Sequence, residues 1–421
     1  MTYPVQVGVT FDFSSGAVFG YPFILDDVQN GVLGTSTLGS TSTAPKIVDI
    51  SDQVLNISLQ GGYNLLRDQF EAAQAIFTIS DPTGIWNPTN ESSPYWPDLV
   101  PLRKIRVYGV YAGQTHYVFS GYVTSYQYTY PKDQVVGYVT IQATDAFRLF
   151  QMSNVSTIPD TASGQDTGTR INKILDSISW PSSMRSITTG GSETICQADP
   201  GTNRTALDAL KMVEYTEQGA FYMNGEGAAE FHSRAWLMAQ SGKDPLFFSN
   251  AGDGIPYYNI IPALDDKLII NQAKITIVGG TEQSASNADS VAKYFPHTYT
   301  QSGVVALTNN DALNIAKNYV ATRAETAIRI DSMTLDLNLP DYADGIEAAL
   351  RGDYFQTFRI KNVGQDGTVI DRTLQVVGIA HTITPNFWRT TFTVSEPIVG
   401  SFILNSELYG VLGDYNSILG Y

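Results

Sequence analysis

A chain of 421 residues is too long for one ordinary hydrophobic core and should divide into several domains. With 24 tyrosines and 19 phenylalanines against 16% charged residues it has the make-up of a β-rich protein with large contacts, and its net charge of −16 without a lysine or arginine cluster excludes the electrostatic footprint of a nucleic-acid binder. One cysteine, Cys196, excludes an intramolecular disulfide and a multi-cysteine zinc site, and with neither a leader-like start nor an apolar run of about 18 residues the chain is expected to be made in a cytoplasm, without a membrane anchor.

Residues 1–45 read as an arm. Val5, Val7, Val9, Phe11 and Phe13 alternate with their neighbours and predict a strand. Ser14-Ser15-Gly16 turns the chain, and two apolar pieces follow, Phe23-Ile24-Leu25 and Val32-Leu33 between Gly31 and Gly34. Both are too short and too broken by glycine for a core, and Leu38 to Pro45 is a Ser/Thr/Gly linker. Residues 46–150 read as a small β-domain. Leu55, Ile57 and Leu59 alternate, 75–80 repeats the pattern, and further strands are predicted over 103–108, 116–123 and 138–143, with a hairpin at Ala112-Gly113. This spacing suggests a closed barrel or a sandwich.

Between the second and third strands, prolines at 82, 88, 94, 97 and 101 predict an ordered loop pinned by Trp86, Tyr95 and Trp96. The order Arg67-Asp68-Gln69-Phe70, Asp81 through Asn90, Ser93-Pro94-Tyr95, Pro101 through Arg106 and Phe119-Ser120-Gly121-Tyr122-Val123 resembles the opening barrel of minor tail proteins from long-tailed bacteriophages of actinobacteria. Such proteins are similar to baseplate and tail-tip hubs.

Residues 151–265 read as an α+β insertion. Ile171, Ile174, Leu175 and Ile178 lie on one helix face that Trp180-Pro181 ends; a second helix spans about 205–217 with Leu207, Leu210 and Val213 inward and Gly219 as its stop. Asn224-Gly225-Glu226-Gly227 then turns a hairpin. The module resembles the inserted domain of phage hub proteins related to the late-control D family. Over 266–397 the alternation returns, interrupted by a third helix capped by Asn309 or Asn310, and Gly378 through Pro385 with Trp388 through Phe392 resemble a second hub barrel. The fold class expected is mainly β with an α+β insertion: two β-barrel domains flank a small helix-helix-hairpin module, and a C-terminal arm covers 398–421.

No catalytic, metal or cofactor site is expected. His116, His232, His297 and His381 are scattered, Asp26-Asp27 and Asp265-Asp266 are neighbours that point apart in extended chain, and Asp81-Pro82-Thr83-Gly84 lacks the alternating carboxylates of a calcium loop. The aromatic loop could stack on sugar, although packing explains it more simply. The resemblance implies a structural virion protein at the tail tip, a homotrimeric hub ring that closes the tube and anchors receptor-binding tail proteins beside the distal tail ring and tape-measure proteins, with DNA passing but not held. A hexameric distal tail ring protein and a carbohydrate-binding tail protein are the alternatives. One repeat stands apart: Phe23-Ile24-Leu25 with Val32-Leu33 returns at the same spacing as Phe402-Ile403-Leu404 with Val411-Leu412. These ten residues are the interface candidates, as apolar anchors on Gly-hinged backbone.

Overall fold

The computed structural model describes residues 4–14, 16–19, 47–64, 69–129, 137–190, 194–326, 329–338 and 343–397. Strands dominate, and thirteen of them form one sheet. The first seven are β1 (Gln6–Asp12), β2 (Ile47–Asp49), β3 (Val54–Asn64), β4 (Gln69–Asp81), β5 (Lys104–Tyr111), β6 (Gln114–Thr129) and β7 (Gly137–Thr144), in the antiparallel order β3-β4-β7-β6-β5-β1-β2. The remaining six are β8 (Leu246–Ser249), β9 (Asn259–Ala263), β10 (Arg329–Asp336), β11 (Thr357–Val363), β12 (Val369–Thr384) and β13 (Phe387–Ser395). Here the order is β9-β10-β13-β12, with β11 also on β12 and β8 parallel to β11.

The mainly β character and the helical insertion agree with the sequence. The strands expected of two barrels nonetheless share a sheet, because β12 pairs antiparallel with β3 from Gly378–Gly62 to Ile383–Ile57. The resulting path is open among the described residues: β2 and β9 each have a single ladder neighbour. At the seam, Gly62 stands at φ +149°, and a Cβ there would lie 2.4 Å from the Gly378 Cα.

Period-two alternation buries one side of this sheet. Ala75, Phe77 and Ile79 of β4 meet Ile105 and Val107 of β5, Met333 and Leu335 of β10 and Trp388 and Phe392 of β13 in a single core. Val5, Val9, Phe11 and Phe13 join it, while Val7 stays 36% exposed. Trp86 and Tyr95 also lie inside, with Tyr95 stacked on Phe13 at 4.8 Å, so these two rings are packing, whereas Trp96 of the same loop stays 46% exposed. Its Asp81 carboxylate accepts from the Ile85 and Trp86 N–H groups, which makes the segment a capped turn.

The insertion carries α1 (Phe147–Met152), α2 (Thr167–Ser177), α3 (Ala206–Glu217) and α4 (Arg234–Ser241) around the hairpin Ala220–Met223 with Ala229–His232. Ile171, Ile174, Leu175, Leu210, Val213, Phe221 and Phe231 make its core, and Cys196 is buried there. The α3 stop is Gln218 in the left-handed conformation, one residue before the expected Gly219. A further unit has its own core: Gln272–Ile277, Gln283–Ser286 and Thr298–Val304 form a separate three-stranded sheet, with α5 (Ala288–Tyr294) between its strands in sequence and α6 (Asn309–Arg323) against it. Thr308 caps α6 in a capping box with Asp311, displacing the expected asparagines, because its hydroxyl reaches the Asp311 N–H. Finally α7 (Ala343–Arg351) inserts Ile346 and Leu350 into the large core.

Candidate functional site

The unburied side of the large sheet carries two continuous cross-strand rows. One cross-strand row runs Ser125, Gln142, Ile76, Ser58, Thr382, Arg389, Asp336 through seven neighbouring strands, from β6 to β10. The row beside it runs Thr144, Gln74, Gln60, Ala380, Thr391, Thr334, Asn259, reaching β9. Both rows cross the β3–β12 seam without interruption. Ser, Thr, Gln and Asn fill ten of the fourteen positions, beside Ile76, Ala380, Arg389 and Asp336, and Thr334 hydrogen-bonds Thr391 at 2.9 Å.

The one cation and the one anion in these rows neutralise each other, with Arg389 Nε 3.4 Å from the Asp336 carboxylate. Arg389 also lies over Tyr258, 4.2 Å from the ring centroid, and is further held by Phe387 at 4.8 Å. The net charge of −16 is therefore carried elsewhere. Such a face has no cationic grip on phosphate and little field to repel it. Sequence reasoning missed the rows, although every alternating strand displays their Ser, Thr and Gln positions; the missing information was which strands are neighbours.

Beneath the face, polar groups of the seam are buried. His381, on β12, accepts at Nδ1 from Trp388 Nε1 at 3.2 Å and pairs with the Thr390 hydroxyl at 2.9 Å, and burial pushes its pKa down to about 4. It is a structural, neutral histidine. Asp145, at the end of β7, accepts from the backbone N–H groups of Ala73 at 2.7 Å and Phe147 at 2.9 Å. Burial outweighs those two donors and the Lys211 cation and raises its pKa to about 7. His381, Asp145, Tyr354 and Asn224 line a cleft of about 50 Å³ where the two strand sets meet the insertion. Among the described residues no three His, Cys, Asp or Glu side chains converge as metal ligands would.

The interface candidates Phe23, Ile24, Leu25, Val32, Leu33, Phe402, Ile403, Leu404, Val411 and Leu412 all lie outside the described residues.

The fold is similar to those of two solved tail proteins. The chain is similar to the tail protein from Neisseria meningitidis MC58, at 10% identity over 94% of this chain and 97% of that one, with a TM-score of 0.55. It is also similar to the 43 kDa tail protein of prophage MuSo2 from Shewanella oneidensis, at 11% identity over 84% and 96%, with a TM-score of 0.52. No protein-family model matches the sequence, and no curated protein does.

Proposed function

We propose that the chain is a structural virion protein of a bacteriophage tail tip, the hub ring that ends the tube and anchors the receptor-binding parts. The observation that carries this reading is the pair of polar rows, of zero net charge, that cross from one strand set to the other. In a ring of three chains it supplies six strand sets around a lumen through which DNA slides without being held. Among the described residues β2 and β9 each have a single ladder neighbour, an arrangement that suits such a ring. The distal tail ring and tape-measure proteins lie on the tube side in this reading, and the two strand sets, β1–β7 and β8–β13, act as the ring-forming parts.

Native mass spectrometry of the purified protein, or subunit counting on the virion, is expected to find three copies. Six copies in one ring would transfer the chain to the distal tail ring, and a compact monomer that binds oligosaccharide tightly would end the hub reading.

The terminal repeat is assigned to clasping the adjoining ring, because three chains bring six equivalent arms to a sixfold partner. Removing residues 400–421, or changing Val411 and Leu412 to Asp, is expected to leave the melting curve unchanged and to abolish co-assembly with the neighbouring ring protein in negative-stain micrographs. Normal assembly, or outright unfolding, would refute the clasp.

A further inference from the structure

We draw no further inference here: the strongest candidate, the apolar edge of the large sheet where Tyr258, Ile261 and Leu264 on and beside β9 are each more than half exposed, carries nothing because nothing in the structure shows what covers it.

Discussion

Replacing Gly62 by alanine is expected to destabilise the protein by about 3 kcal/mol or more, at the upper end of overpacking costs. The added Cβ meets backbone on the opposite strand, at 2.4 Å from the Gly378 Cα and 2.8 Å from the Val377 carbonyl oxygen, and neither can rotate away. Two bulges meet here, since β3 shifts register against β4 between Gln60 and Gly62 and β12 shifts against β13 between Val376 and Gly378. The extra residue lies on β4 opposite Gln60–Gly62 in the first bulge and on β12 at Val377 in the second, and each adds local twist where the two sets join. Gly113 is the control: it too has positive φ, +79°, but a Cβ there meets nothing within 4 Å, so Gly113→Ala should cost only about 1 kcal/mol. Urea denaturation of both variants checks the difference, and equal losses would mean that the seam is not where the strain falls.

The second large effect is the loss of the Asp145 contribution to stability as pH rises from 4 to 8, opposed below about pH 6.5 by buried His381, whose folded pKa of about 4 makes its contribution grow with pH. Asp145 has a folded pKa of about 7, against an unfolded value of about 3.9, so the folded state holds the proton more tightly. Its contribution to stability is complete below the unfolded value and is lost as pH climbs through the folded one. That loss reaches about 4 kcal/mol at most. The groups around it are the Ala73 and Phe147 amides, the Lys211 ammonium bonded to Glu214 at 2.6 Å, and the Tyr354 and Tyr122 rings. Asp145→Asn removes the titration and leaves one of the two amide donors poorly matched, at a cost of about 1–3 kcal/mol. The gap in melting temperature between wild type and variant should therefore narrow from pH 5 through 6 and 7 to 8, since His381 and Glu214 titrate in both and only Asp145 differs. Parallel curves would assign the pH dependence to another group. Asp145 bonds both to β4 and to the first turn of α1, so its state bears on how firmly the insertion sits on the sheet.

Local pattern carried much of this architecture. Alternation at 75–80 predicts β4 because a half-buried strand must place every second side chain in the core. The helical stripe of Ile171, Ile174 and Leu175 appears as α2 for the corresponding reason at period 3.6, and Asn224 through Gly227 turns the hairpin as its residues require. The helix α7 was missed although Ile346, Ala349 and Leu350 have helical spacing, since its nine residues sit between strand-like runs. The strand at Gln272–Ile277 was found, but its place in a separate sheet was not.

What the sequence by itself determined is which residues form strands and helices, where the turns fall, and that no apolar run is long enough for a membrane helix. Those properties depend on neighbours a few positions apart, through side-chain period, capping hydroxyls and glycine backbone freedom. Only the tertiary structure decided that β3 and β12 are partners, because a ladder is held by backbone N–H and C=O groups that every residue carries alike. Partner choice is settled by the packing of whole layers. That pairing turns separate Ser, Thr and Gln positions into continuous rows of zero net charge and places Gly62 against Gly378, so the candidate site exists only once chain segments far apart in sequence have met.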